Sequence, residues 1–227
     1  MSPEATMSPK SSINTPNFDR IASIYRWAEY ISLGPLLQRT RTHFLNQLNN
    51  PRYALVLGDG DGRFLAKFLR RYPNCTALAA DISAAMLSKL RARCLRSVPG
   101  ATTRLTTLHR SALEIEVPPH TDLIVTHFLL DCFTQPEVDA LTARLAPQLA
   151  PGGLWLVSDF ALPSARLLRP LARLYITSLY AAFRLLTGLR VRHLPDPQSA
   201  LARAGLRRIA RKSFLFGLLY TELWQRA

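Results

Sequence analysis

Short apolar runs alternate with helical segments between Tyr53 and Phe160, and this alternation constrains the fold more than any other feature. Strands and helices that alternate in this way are typical of a parallel sheet with helices on both faces. The sequence therefore predicts an α/β fold with a doubly wound, mostly parallel sheet. The predicted strands are residues 53–57, 76–80, 104–109, 122–127 and 154–159, and the predicted helices are residues 62–71, 83–96 and 135–148.

The segments on either side of this region are assigned from composition and periodicity. Residues 1–17 are rich in Ser, Pro, Thr and Asn, which predicts a disordered leader. The chain has 227 residues, and the part that follows the leader suits a single domain. Within this domain, residues 18–227, we expect two helices over residues 18–50, a core over 51–160, and apolar helices with a closing antiparallel hairpin strand over 161–227.

The chain carries 29 Lys and Arg against 15 Asp and Glu, a net charge of +14. One interpretation is attraction to polyanions, either nucleic acid or an anionic membrane surface. The other is a general bias of amino-acid usage toward Ala, Arg, Leu and Pro. Because the arginines are scattered rather than grouped in blocks, the second interpretation is favoured.

Cysteine usage and hydropathy indicate the setting of the protein. Cys75, Cys94 and Cys132 lie far apart without a CxxC pair, so neither a disulfide framework nor a zinc site is predicted, and no metal is expected. A reducing, cytoplasmic setting fits this pattern. The apolar run at residues 174–183 is shorter than the ~20 residues of a membrane span, so we expect a soluble protein.

A glycine-rich turn, "LGDGDG", follows the first predicted strand and opens the next helix. In such a turn the glycines let a ligand approach the backbone at the carboxyl end of the strand. The spacing does not fit G-x-G-x-x-G, and no Gly-Lys-Ser or Gly-Lys-Thr follows. Moreover, Asp59 and Asp61 would repel a pyrophosphate at the helix N-terminus. The turn therefore predicts a ligand without phosphate that can carry a positive charge.

A further acid narrows the ligand class. Asp81 ends the second predicted strand, about 20 residues beyond Gly62, where a carboxylate can reach the hydroxyls of a ribose. Sugar hydroxyls, a positive group and no phosphate together describe S-adenosylmethionine.

Four segments, in order, resemble the Rossmann-like (class I) S-adenosylmethionine-dependent methyltransferases. "VLGDGDG" resembles their first motif and "DISAAML" their second-strand motif, D-x-S-x-x-M-L. "DLIVTHFLLD" and "LAPGGLWLVSDF" are similar to their fourth-strand and fifth-strand segments. The resemblance covers residues 53–160 and implies a Rossmann-like sheet of seven strands.

The resemblance also implies which residues bind the cofactor. Val56 departs from the family pattern, because an Asp or Glu usually stands at that position; Asp59 or Asp61 is expected to contact the ligand ammonium instead. By the resemblance, Gly58, Gly60 and Gly62 pass under the methionine part, Asp81 holds the ribose, Ile82 and Met86 flank the adenine, and Ser111 and Ala112 lie near its amino group.

The start of the ordered region, "FDRIASIYRW", resembles the opening of small-molecule methyltransferases of the quinone-biosynthesis type. In those proteins an N-terminal helix forms a lid over the cofactor. The resemblance implies that residues 18–50 are a helical lid and that Phe18 and Tyr25 contact the cofactor.

Candidate catalytic groups follow the fourth and fifth predicted strands. A sulfonium methyl group needs mainly a well-placed nucleophile, and a base is required only if that nucleophile must lose a proton. His127 is the first choice for a base or substrate contact, and a histidine that caps the cofactor pocket or is satisfied in the core is an equal alternative. His193 is a weaker candidate. Thr126, Asp131 and Asp159 complete the set. Thr126 and His127 are also expected among the cofactor-binding residues.

The acceptor is predicted to be a small, apolar or aromatic molecule. "THFL" stands where families that methylate nucleobase amines carry an Asp/Asn-Pro-Pro-aromatic box, so nucleic-acid methylation is disfavoured. Residues 167–189 are apolar with interspersed arginines, and suit a core helix, a substrate wall or a contact with an anionic membrane surface. Two alternatives stay open: a non-catalytic binding protein with this fold, and a nucleic-acid methyltransferase.

Overall fold

The computed structural model describes residues 33–163, 165–187 and 193–227. The predicted leader, the first lid helix, Phe18 and Tyr25 lie outside these residues. The second predicted lid helix is described, and it is shorter than expected. It covers Gly34–Thr42 and is followed by a 3₁₀ turn at Leu45–Gln47. The hydroxyl groups of Thr40 and Thr42 donate to the carbonyls four residues earlier, an interaction that weakens helices.

Seven strands form one sheet in the order β3-β2-β1-β4-β5-β7-β6. All run parallel except β7, which is antiparallel to both β5 and β6. The mostly parallel seven-stranded sheet with an antiparallel strand from the C-terminal hairpin is therefore confirmed. The strands are β1 Tyr53–Leu57, β2 Thr76–Asp81, β3 Leu105–His109, β4 Leu123–His127, β5 Leu154–Phe160, β6 Leu206–Phe214 and β7 Leu219–Arg226.

The helices between the strands begin and end close to the predicted positions. The one predicted over 135–148 ends at Leu145 and continues as a 3₁₀ turn, because Pro147 has no N–H to extend it. None of the helices in the described ranges is long and apolar enough to cross a bilayer. Those ranges contain α1 Gly34–Thr42, α2 Arg63–Arg71, α3 Ala84–Ser97, α4 Ala101–Arg104, α5 Gln135–Leu145, α6 Arg169–Thr187 and α7 Pro197–Arg203.

Side chains of β1 alternate between two hydrophobic clusters, one on each face of the sheet. Ala54 and Val56 lie in the cluster formed with α2 and α3. Leu55 and Leu57 lie in the cluster formed with α5 and α7. Because both faces are covered, the strand is apolar at every position after Tyr53, as is usual for a central parallel strand.

The path of the chain reverses beside β1. From β1 it leads outward through β2 to β3, and it then returns to β4 on the other side of β1. In open parallel sheets, ligands bind outside the carboxyl ends of the strands at such a switch point. The glycine turn that follows Leu57 lies at this position.

Gly62 closes the turn against a neighbouring helix. Its φ is +79°, and a Cβ there would lie 2.8 Å from Leu90 Cγ and 2.9 Å from Leu90 Cα. The absence of a side chain therefore lets α2 pack directly on α3. A Cβ on Gly60, by contrast, would meet nothing within 4 Å.

We expect Gly62→Ala to destabilise the fold more than Gly152→Ala. Both glycines have a positive φ, which costs about 1–2 kcal/mol for alanine, but a Cβ at Gly152 would meet no atom within 4 Å. The clash with Leu90 should add about 1–3 kcal/mol for Gly62→Ala alone. Urea unfolding of both variants measures this difference, and equal losses would show that the close helix packing is unimportant.

Candidate active site

The carboxyl edge of the sheet brings most of the predicted site residues together. The glycine turn follows β1, and Asp81 ends β2. Ser111 and Ala112 follow β3, His127 ends β4, and Asp131 lies in the turn after β4. Asp159 is near the end of β5. His193, in contrast, lies on the exposed segment before α7.

Both aspartates of the glycine turn have partners within the protein. Asp59 Oδ2 accepts a hydrogen bond of 2.9 Å from the amide of Leu65, in the first turn of α2. Asp61 Oδ2 lies 3.1 Å from Arg63 Nε and 2.8 Å from Arg93 Nη2. These contacts account for two acids in one glycine-rich turn, because they fix its conformation. Their predicted contact with a ligand ammonium stays a prediction.

Asp81 is held at the tip of β2 by backbone amides. Its Oδ1 accepts from the amide of Ser83 at 2.9 Å. Burial raises the pKa of Asp81 to about 6, opposed by hydrogen bonds from the amides of Ser83, Gly60 and Ile82. At neutral pH the group is therefore a carboxylate, which can accept hydrogen bonds from a pair of hydroxyls.

The residues predicted to surround the adenine lie on either side of Asp81. Ile82 follows it directly, and Met86 is buried in the first turn of α3. The amide of Arg110 donates to the carbonyl of Asp81 at 3.1 Å, which brings the end of β3 beside β2. Ser111 follows, and its hydroxyl accepts from the amide of Leu113 at 3.2 Å. The structure therefore places these predicted residues in one region.

His109 is a site residue that the sequence did not indicate. Its Nε2 lies 2.8 Å from the carbonyl oxygen of Ile82, which fixes the backbone beside the predicted adenine contacts. Asp81 and His109 are register partners on β2 and β3. Because both end their strands, the predicted parallel pairing was the signal that could have identified His109.

Thr126 and His127 project from opposite faces of β4. Thr126 is fully buried, and its hydroxyl accepts from Trp155 Nε1 at 3.0 Å, which gives Thr126 a packing role. His127 contacts Phe64 edge-to-face, with ring centroids 4.5 Å apart. Burial, and then the charge of Arg41, lower the pKa of His127 well below its usual value. The imidazole is therefore neutral at physiological pH, and its ring nitrogens have no hydrogen-bond partner among the described residues.

Asp131 and Asp159 form a pair of buried carboxyl groups. The amide of Asp131 donates to Asp159 Oδ2 at 3.2 Å, and the two side chains are hydrogen-bonded to each other. Burial raises the pKa of Asp131 to about 6. Burial and the charge of Asp131 raise the pKa of Asp159 well above its usual value. The pair therefore holds protons to a higher pH than two exposed carboxyl groups would.

Two further groups border this pair and were not predicted as site residues. The thiol of Cys132 is 3.5 Å from Asp131 Oδ1. Tyr220 is the register partner of Asp159 on β7, so the two side chains project from the same face of the sheet. The Tyr220 hydroxyl is buried and has no hydrogen-bond partner within the described ranges. Sequence patterns do not give the β5–β7 register, so they could not reveal Tyr220.

No group of three or more His, Cys, Asp or Glu side chains in the described part of the chain is arranged to hold a metal ion.

Comparison with known proteins finds similarity over the core of the sheet. Residues 54–153 match the family described as a methyltransferase domain. The trans-aconitate 2-methyltransferases of Methylobacterium radiotolerans and Methylobacterium nodulans are each 33% identical, over 128 and 125 residues, which are 55% and 54% of this chain. The chain spans 45% of the length of each of these relatives.

Solved structures share the fold at low sequence identity. An O-methyltransferase family protein from Burkholderia thailandensis has a TM-score of 0.69 at 19% identity, covering 95% of this chain and 65% of that protein. Magnesium protoporphyrin IX methyltransferase from Synechocystis, solved with bound S-adenosylhomocysteine, has a TM-score of 0.67 at 15% identity, covering 92% of this chain and 97% of that protein. At these identities the likeness concerns the fold alone.

The carboxyl pair should make stability depend on pH in an unusual direction. A carboxyl group whose pKa is raised in the folded state binds protons that the unfolded chain has already lost, so it destabilises the fold as pH rises. We expect the free energy of unfolding of the wild type, relative to Asp159→Asn, to fall by about 1 kcal/mol or more from about pH 4 to pH 7. Urea unfolding over this range measures the effect, and parallel curves for the two proteins would contradict it.

Proposed function

We propose that the chain is a class I, S-adenosylmethionine-dependent methyltransferase that acts on a small molecule, supported by the match of residues 54–153 to a methyltransferase-domain family. The observation that carries the proposal is the position of Asp81 beside an open glycine turn. Asp81 offers carboxylate oxygens at the sheet edge, while a Cβ on Gly60 would meet nothing within 4 Å. A ribose and an amino-acid moiety fit these two features, respectively.

The cofactor would be held by groups that the fold has already fixed. Amides of Ser83 and Gly60 orient the Asp81 carboxylate toward hydroxyl ligands, and Met86 supplies an apolar surface for a base. S-adenosylmethionine, when bound, supplies an electrophilic methyl group on a sulfonium. The chain's own contribution is then to position the nucleophile and to remove its proton where that is needed.

Asp131 is the best-suited proton acceptor in the described site. Its pKa of about 6 leaves it ionised at neutral pH while keeping it basic enough for proton transfer. Asp159 is hydrogen-bonded to the Asp131 side chain and to its amide, and these contacts orient Asp131. His127 was the first choice from sequence, but its lowered pKa makes it a weak base, so we assign it to packing against Phe64.

The charge of the pair favours an acceptor without a carboxylate at the reacting end. The curated relatives are named for trans-aconitate, which carries carboxylates. A buried, ionised Asp131 would repel such a group, because like charges interact strongly where water is excluded. A neutral hydroxyl, phenol or amine is compatible with the pair, and apolar residues such as Phe160 and Leu218 line the adjoining cluster.

Two other functions compete with this proposal. A non-catalytic binding protein would take up the cofactor without forming S-adenosylhomocysteine. A nucleic-acid methyltransferase would bind RNA or DNA with a strong salt dependence. Turnover with phenols, amines and quinone precursors, compared with turnover on nucleic acids, separates the three functions.

We expect Asp81→Asn to weaken binding of S-adenosylhomocysteine by about 10- to 100-fold, the usual cost of removing a charged hydrogen-bond acceptor for two hydroxyls. Calorimetry measures this loss. Asp139→Asn is the matched control, because Asp139 lies on α5 in a solvent-exposed pair with Arg203. Equal affinities for wild type, variant and control would exclude Asp81 as the ribose contact.

For any acceptor with a proton to lose, Asp131→Asn should lower kcat by about 100-fold or more without changing affinity for S-adenosylhomocysteine. The wild-type rate should fall as pH drops through about 6, where Asp131 becomes protonated. Rapid-mixing and steady-state kinetics measure these rates. His127→Gln, measured in the same way, is the comparison variant. A larger loss in His127→Gln than in Asp131→Asn would reverse the assignment.

A further inference from the structure

Helix α6 has apolar side chains on two opposite faces. On the inner face, Ala172 and Ile176 are buried against Leu218. On the outer face, Leu171 and Leu174 are 67% and 65% exposed. Leu167, in the turn just before the helix, is 91% exposed. A helix with apolar residues on both faces is normally buried on both faces. The exposed leucines therefore indicate a surface that another molecule covers.

The turn between β6 and β7 presents further apolar side chains. Phe216 is 80% exposed and Leu215 is 40% exposed. Both have a positive φ, of 54° and 47°, which is unusual for bulky residues and tends to persist where it serves a function. Leu218, two residues after Phe216, packs in one cluster with Ala172 and Ile176, so this turn lies beside α6. We name Leu167, Leu171, Leu174, Leu215 and Phe216 the apolar rim.

The apolar rim borders the acceptor side of the site. Strands β5 and β6 both end at the carboxyl edge of the sheet, so α6 and the β6–β7 turn start from the edge that carries Asp131 and Asp159. Cys132, next to Asp131, packs against the same cluster as Ala172 and Ile176. An apolar molecule that enters across the rim would therefore arrive beside the carboxyl pair.

Exposed basic residues accompany the apolar rim. Arg169 and Arg173 are exposed on α6, and Lys212 is exposed on β6 just before the turn. The chain as a whole carries +14. Leucines and a phenylalanine next to arginine and lysine are the combination that binds anionic lipid surfaces. In a symmetric contact between two copies, the same basic groups would face each other and repel.

We propose that the apolar rim docks on an anionic membrane surface, with its leucines and Phe216 in the headgroup region and Arg173 beside lipid phosphates. The protein lies on the bilayer in this arrangement and does not span it. A lipophilic acceptor dissolved in the bilayer would pass directly to the site. Docking itself does not depend on the identity of the acceptor or on methyl transfer.

Vesicle flotation of the full chain at physiological ionic strength tests the proposal. Phosphatidylcholine vesicles that contain phosphatidylserine should carry the protein to the top of the gradient, and pure phosphatidylcholine vesicles should not. Leu174→Ser should weaken binding by about fivefold, and the combined change of Leu167, Leu171 and Leu174 to Ser should abolish it. Leu95→Ser, at a leucine on α3 that is 43% exposed, is the control and should bind as the wild type does.

A second pair of variants tests the charge. Arg173→Gln should weaken binding to the anionic vesicles by about fivefold, while Arg96→Gln, an exposed arginine on α3, should have a smaller effect. Unchanged affinity for S-adenosylhomocysteine shows that each variant is folded.

Two results would overturn the proposal. One is equal flotation of the triple serine variant and the wild type. The other is an oligomer that the triple serine variant dissociates while neither protein binds vesicles, because the apolar rim would then be an interface between copies of the chain.

Discussion

The pairing of β1 between β2 and β4 is the constraint on which the site depends. Since β1 is buried on both faces, it must be apolar, and Val56 is accordingly in the core at a position where a ligand-binding acid would be expected. The same pairing opens the sheet at the carboxyl ends of β1 and β4. The amide of Gly58 donates to the carbonyl of Ala80 at 2.9 Å, so the glycine turn stays joined to the end of β2. The pairing of β1 with β2 therefore sets the position of Asp81 relative to the glycine turn.

Buried acids in this protein fall into two classes that differ in their partners. Glu222 is fully buried and accepts from Arg208, Arg211 and Trp224, so its charge is satisfied by the fold. Asp131 and Asp159 are instead hydrogen-bonded to each other, and burial raises the pKa of both carboxyl groups. A buried charge that is fully paired is structural, whereas carboxyl groups with raised pKa values at a strand end are typical of a functional site.

Much of the fold could be predicted because hydrophobic periodicity and the residues that start or end helices and strands are local properties of the sequence. The strands lie within about one residue of the predicted ranges. Thr134 and Glu137, the first and last residues of the sequence T-Q-P-E, form a capping box, with the Thr134 amide 2.8 Å from Glu137 Oε2. Strand alternation already implied that Thr126 and His127 face opposite ways. Burial, by contrast, depends on what packs over a side chain. The lowered pKa of His127 and the raised pKa values of the carboxyl pair are therefore properties that only the assembled structure shows.

A crystal structure of the chain with S-adenosylhomocysteine tests the account most directly. We predict that the ribose hydroxyls lie within hydrogen-bond distance of Asp81, that the homocysteine passes over Gly60, and that the sulfur faces the side of the crevice where Asp131 lies. A nucleoside bound elsewhere on the sheet, or density for the ligand that leaves Asp81 and the glycine turn uncontacted, would contradict the assignment of this edge as the methyl-transfer site.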